Sequence, residues 1–130
     1  MSRHVLVPMD DSEPARAALE HALEWEPADR LTVVHAMDEL EASYGGRSTG
    51  SEPDFFAGVR AVADGYDATL ETAVVTGTGT ADAILEYADE ANADAIVMGS
   101  EGKAGVSRML LGSVAESVTR RAEIPVTIVP

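Results

Sequence analysis

The chain has 130 residues, with 23 Asp and Glu against 9 Lys and Arg, a formal net charge of −14 and a pI near 4.3. That length suits one domain over residues 1–130, and a hydrophobic fraction of 45% argues against disorder. The acidity excludes a broad electrostatic grip on nucleic acid or an anionic membrane surface, and the absence of cysteine excludes disulfide scaffolds, Cys-ligated zinc and thiol catalysis.

In chain order, His4-Val5-Leu6-Val7 reads as a first strand, ended by Pro8. Asp11-Ser12-Glu13-Pro14 then offers an N-cap, an acidic first turn and an early proline. Ala15, Ala18, Leu19, Ala22 and Leu23 recur at helical spacing and mark one buried face. Leu31 to Ala36 reads as a second strand, and residues 37–54, with Gly45-Gly46-Arg47-Ser48-Thr49-Gly50, as a long loop. Phe55, Phe56, Val59, Val62, Ala63 and Tyr66 mark a short second helix. Thr69 to Val75 is a third strand, closed by Thr76-Gly77-Thr78-Gly79. Thr80 is placed to cap a third helix with Ala81, Ile84, Leu85, Ala88 and Ala91 inward. Ala95 to Met98 is a fourth strand, running into Gly99. A fourth helix starts near Ser113 with Val114, Ala115, Val118 and Ala122 inward, and Pro125 to Val129 is a fifth strand. This β-α alternation predicts an α/β fold: an open, parallel, five-stranded sheet with right-handed crossovers and helices on both faces. Ligands of such sheets bind outside the carboxyl ends of the strands, where strand order reverses.

The run from Met98 to Ser113 carries the chemistry. Its glycines let a ligand approach the backbone, and it ends at a helix start, whose free N–H groups and dipole favour an anion. Ser113 adds a hydroxyl that can cap that helix or donate to a phosphate oxygen. Charge agrees. Residues 99–130 hold Lys103, Arg108, Arg120 and Arg121 against Glu101, Glu116 and Glu123, a net +1, which leaves −15 on residues 1–98. Lys103 is the only lysine in the chain. So acidic and lysine-poor a composition fits adaptation to high salt, where self-repulsion is screened. Phosphate is the ligand class this run suits. It is not a Walker A loop: Val97 stands where the first glycine of that motif belongs, and Ala104 follows the lysine. Nor is there a dinucleotide fingerprint after strand one, where Pro8-Met9-Asp10-Asp11 has no glycine.

The pattern Gly99-x2-Gly102-x9-Gly112-Ser113 is similar to the nucleotide-binding signature of the universal stress protein family. Val7-Pro8-Met9-Asp10-Asp11-Ser12-Glu13, Val33 to Asp38, Ala93 to Ser100 and Ile124 to Val129 resemble other segments of that family in the same order, so the resemblance covers essentially the whole chain. It implies the family's five-stranded sheet, strand order 3-2-1-4-5, and an adenine nucleotide, ATP with Mg or Mn, as ligand. Pro8, Met9 and Asp10 match positions that hold adenine and ribose, and Ala36 an adenine-lining position. Met98, Gly99, Gly102, Gly112, Ser113, Val114 and Ala115 match positions around ribose and phosphates, with Lys103 in the same run. The resemblance further implies a homodimer through the last strand, residues 126–129, and a nucleotide-dependent stress-response module without efficient catalysis. Two features depart from the family: Glu101 puts negative charge beside the proposed phosphates, and the usual long second helix is cut short.

Blander roles stand beside these. Asp10 is favoured for ligand contact and Asp11 for capping. His35, on an apolar strand, reads as a satisfied core histidine, and His4 and His21 lack metal-ligand spacing. Slow ATP hydrolysis and a member that binds no nucleotide remain open alternatives. A phospho-acceptor domain would need an aspartate after strand three and a lysine after strand five, and this chain has Thr76-Gly77 and Pro130 there. The first residues lack a signal-peptide layout and no run approaches the roughly 20 apolar residues of a membrane span, so a cytoplasmic location is expected.

Overall fold

Five runs of aliphatic and β-branched residues form the strands β1 (His4–Pro8), β2 (Arg30–Asp38), β3 (Thr69–Gly77), β4 (Ala95–Gly99) and β5 (Val126–Val129) in the structure, a computed structural model. Residues 3–26, 28–38, 52–66, 69–100 and 111–130 are described. The helices are α1 (Glu13–Trp25), α2 (Phe56–Ala63), α3 (Thr80–Glu90) and α4 (Ser113–Arg121). The strands make one parallel sheet in the order β3-β2-β1-β4-β5, as the alternating pattern and the family resemblance predict.

Side chains alternate across the sheet, so each strand feeds two cores. Val5, Val7, Leu31, Val33 and Val97 face one layer, built from Ala15, Ala18, Leu19 and Ala22 of α1 with Phe56 and Val59 of α2. Leu6, Val34, Ile96 and Met98 face the other, against Ile84 and Ala88 of α3 and Ala115 and Val118 of α4. Every residue of β1 and β4 is buried, as expected of strands covered by helices on both sides. Each fully buried aliphatic side chain contributes about 1.5–3 kcal/mol, so these two central strands anchor the sheet.

Several local expectations are corrected. The loop expected from residue 37 begins later, because β2 runs to Asp38 and β3 to Gly77, where Met37 pairs with Thr76 and Asp38 with Gly77. Asp11 does not cap α1. Ser12 does: it adopts the extended N-cap conformation and its Oγ accepts from the Ala15 N–H at 3.2 Å. Thr80 and Ser113 are first helical residues, not caps, since Gly79 and Gly112 take the extended cap conformation before them. The second helix is eight residues long, Phe56–Ala63. Ala83 is buried where the spacing did not place it, and Gly77 explains why: a Cβ there would lie 3.1 Å from the Cα of Ala83.

Candidate functional site

At their carboxyl ends β1 and β4 lose their hydrogen-bonded register. Their register runs only from Val5 opposite Ala95 to Leu6 opposite Ile96, whereas β1 stays paired with β2 through Pro8 opposite Val34. Pro8 supplies the reason. The Met9 N–H donates to the Val34 carbonyl at 2.8 Å, so by the alternation of a strand the Pro8 nitrogen faces β4. Proline carries no N–H, and the ladder to β4 cannot continue through it. At the point where strand order reverses, the ladder thus ends at Pro8, with Met98 and Gly99 on the neighbouring strand.

The β1–α1 turn is held firmly at this end of the sheet. Met9 is 3% exposed. Its N–H is bound to Val34, and its carbonyl accepts from Nδ1 of His35 at 2.8 Å. That carbonyl has no proton to give, so Nδ1 carries one. Asp10, half-buried, accepts from the Ser12 N–H through Oδ1 at 3.1 Å, an Asx turn that leads into the helix. Asp11 has φ of 64°, the left-handed region that Asp tolerates better than most residues. Its carbonyl and carboxylate both accept from Nη1 of Arg16, at 2.7 and 2.6 Å.

On the β4 side, Ser100 N–H donates to the Val129 carbonyl at 2.9 Å, and Gly112 N–H donates to the Ser100 carbonyl at 2.8 Å. The second bond closes the base of the glycine run, bringing the end of β4 to the first turn of α4. Gly99 has a packing duty that the sequence reading did not find. A Cβ there would lie 2.7 Å from the Pro14 carbonyl carbon and 2.8 Å from the Ala15 nitrogen, so α1 meshes with β4 only because position 99 has no side chain. Beyond β3, Thr78 Oγ1 donates to Asp82 at 2.9 Å and Arg121 pairs with the same carboxylate. The hydrogen bond from Arg121, then that from Thr78, holds the Asp82 carboxyl below its ordinary range.

The structure therefore gathers Pro8, Met9, Asp10, Met98, Gly99 and Gly112 at the carboxyl ends of β1 and β4. Ala36 lies on β2 and packs, half-buried, against the same core layer as Met98. Of the α4 residues, Ser113 is exposed, Val114 half-buried and Ala115 buried. Gly102 and Lys103, with Glu101 and Arg108, lie outside the described residues. His35 is satisfied, as expected, by the backbone carbonyl of Met9, a buried member of the α1-side core that also stands at the carboxyl end of β1. Parity with Val33 put His35 on the α1 side of the sheet, the side that Met9 joins, and that was the available signal. His4 is 3% exposed, with Nε2 2.7 Å from Thr32 Oγ1. Among the described residues no group of three or more His, Cys, Asp or Glu could hold a metal ion, and no helix is long and apolar enough to cross a membrane.

Comparison with known proteins accords with this layout. The universal stress protein family model matches residues 1–130. The chain is 42% identical over 71 residues to Universal stress protein MJ0531 of Methanocaldococcus jannaschii, a match covering 55% of this chain and 41% of that protein's length. The solved structure of hypothetical protein MJ0577 is similar with a TM-score of 0.78 at 25% identity, over 99% of this chain and 96% of that one. A universal stress protein in complex with cAMP gives 0.73 at 27% identity, over 99% and 97%. The universal stress protein from Archaeoglobus fulgidus in complex with dAMP gives 0.63 at 25% identity, over 100% and 98%. With the strand order and a family match across all 130 residues in agreement, the chain belongs to the universal stress protein family.

Proposed function

We propose that this chain is an adenine-nucleotide-binding regulatory module of the cytoplasm, with ATP as its ligand and a homodimer, paired through β5, as its working form. The single observation that supports it most is the arrangement at the sheet's switch point, where the β1–β4 ladder ends at Pro8 and the Met9–Asp10 turn is held by His35. Relatives of the same fold in complex with cAMP and dAMP support the adenine part of the reading. In this reading Pro8, Met9, Asp10 and Ala36 hold the adenosine. Met98, Gly99, Gly112, Ser113, Val114 and Ala115 surround ribose and phosphates, with the α4 N-terminus favouring the anion, and Gly102 and Lys103 complete the set. Mg or Mn would accompany the phosphates. β5 is an edge strand with all four residues half-buried, which suits pairing with a second copy.

Thermal melting and calorimetric titration with ATP–Mg, AMP, cAMP and GTP test the reading. A ligand of the native state must raise the melting temperature, by about 2.7 kcal/mol in stability at a hundredfold excess over Kd. ATP and the other adenine nucleotides should do so and GTP should not, and Gly112→Val should abolish the shift. No shift with any adenine nucleotide at millimolar concentration would overturn the proposal. Sedimentation of the same samples should give twice the 13.6 kDa chain mass.

A further inference from the structure

We infer that His35 is a positioning residue of the nucleotide site, fixing the Met9–Asp10 peptide through its ring N–H; this rests on the nucleotide-binding reading above. Three observations converge on that peptide. The Nδ1–H of His35 donates to the Met9 carbonyl at 2.8 Å. The same residue's N–H is tied to Val34, the strand neighbour of His35, so Met9 is bound to β2 on both sides of its Cα. The imidazole is itself held: the Phe55 ring meets it edge-on, with centroids 5.4 Å apart at 83°, and Phe55 meets Phe56 in the same way at 5.3 Å and 84°. Phe56 is 1% exposed and seated in the core. A chain of three rings thus connects the hydrophobic core to one backbone carbonyl at the candidate site.

Peptide planarity makes that carbonyl matter. With the six peptide atoms in one plane, aiming Met9 C=O at His35 aims the Asp10 N–H the opposite way and limits where the Asp10 side chain can depart. Asp10 in turn orders the Ser12 N–H, and Asp11 follows in the left-handed region, a conformation that persists only where the surroundings enforce it. Without the imidazole donor the 9–10 peptide gains freedom to rotate at the residue proposed to hold adenine and ribose. A histidine kept only for packing would contribute its ring, not its N–H.

Two kinds of substitution separate those roles. His35→Phe keeps an aromatic ring against Phe55 without a donor, and His35→Asn keeps an N–H within reach of the Met9 carbonyl without the ring. His35→Leu is a second donorless variant that keeps the comparison decisive if His35→Phe fails to fold. The readouts are the ATP–Mg dissociation constant by calorimetry and, in nucleotide-free protein, the hydrogen-exchange rate of the Ser12 amide by NMR. The donorless variants should weaken ATP about three- to tenfold and speed Ser12 exchange by a similar factor, with His35→Asn within about twofold of wild type on both. Wild-type affinity and exchange in a folded donorless variant would overturn the inference, as would His35→Asn behaving like the donorless variants. Failure of the wild-type protein to bind any adenine nucleotide would instead sink the binding reading, and Ser12 exchange would still decide whether His35 clamps the turn.

Discussion

Position 99 shows how packing can require a missing methyl group. The glycine run was legible as a place where backbone comes close to a ligand, but the nearest backbone in the structure is that of Pro14 and Ala15, at 2.7–2.8 Å from where a Cβ would stand. A long-range contact of that kind leaves no local trace in a sequence. Gly99→Ala must push α1 away from β4, and should cost about 1–3 kcal/mol in denaturant unfolding, as overpacking does. Gly58→Ala is the matched control. Nothing lies within 4 Å of a Cβ at that helical position, so it should stabilise by about 0.5–1 kcal/mol. Equal effects at the two sites would refute the packing account. Asp11 and Ser12 teach a related lesson: both are good N-caps by type, and only the positive φ of Asp11 decides that its neighbour caps the helix.

Elements were legible where periodicity is strong and blurred where a partner strand decides the end. The buried face of α1 could be read from alanine and leucine spacing, and that of α3 only in part, since Ala83 was missed. The last residues of β2 and β3 could not, since Met37, Asp38, Thr76 and Gly77 look like loop residues until they are paired with one another. At the other end of that nine-residue pairing, Arg30 Nε and Nη2 donate to both carboxylate oxygens of Glu71 at 2.8 and 2.9 Å, a forked pair on the exposed side. The hydrogen bond from Arg30 holds the Glu71 carboxyl below its ordinary range. A depressed folded-state value means stability that is present above the unfolded-state range and lost as pH falls through the folded one. Glu71→Gln should therefore melt slightly below wild type at pH 7, with the gap closing on acidification below the usual carboxylate range. A gap independent of pH would rule out ionisation as its source. Both partners are solvent-exposed, so the difference should be small and shrink with added salt.

Across the whole molecule, charge and fold divide the work. The fold was readable because βα alternation leaves few topologies, and because family segments recur in order along the full chain. The candidate site was predicted as a place, at the ends of β1 and β4, and not as a set of contacts: the bond between His35 and Met9 depends on a carbonyl brought from another strand. A net charge of −14 on 130 residues repels itself, and raising KCl from 0.1 to 2 M shortens the screening length from about 10 Å to below 3 Å. The melting temperature should rise by about 5 °C or more over that range, measured by circular dichroism, and a flat or falling curve would remove self-repulsion from the account. One small bond has a wider consequence. Because Gly112 N–H meets the Ser100 carbonyl, both ends of the intervening segment are set by backbone atoms that exist whatever side chains lie between them. Closing a longer span costs only about 0.6 kcal/mol per doubling of length. The end of β4 and the start of α4 are therefore joined by backbone atoms alone, and substitution of side chains between Ser100 and Gly112 leaves that bond in place.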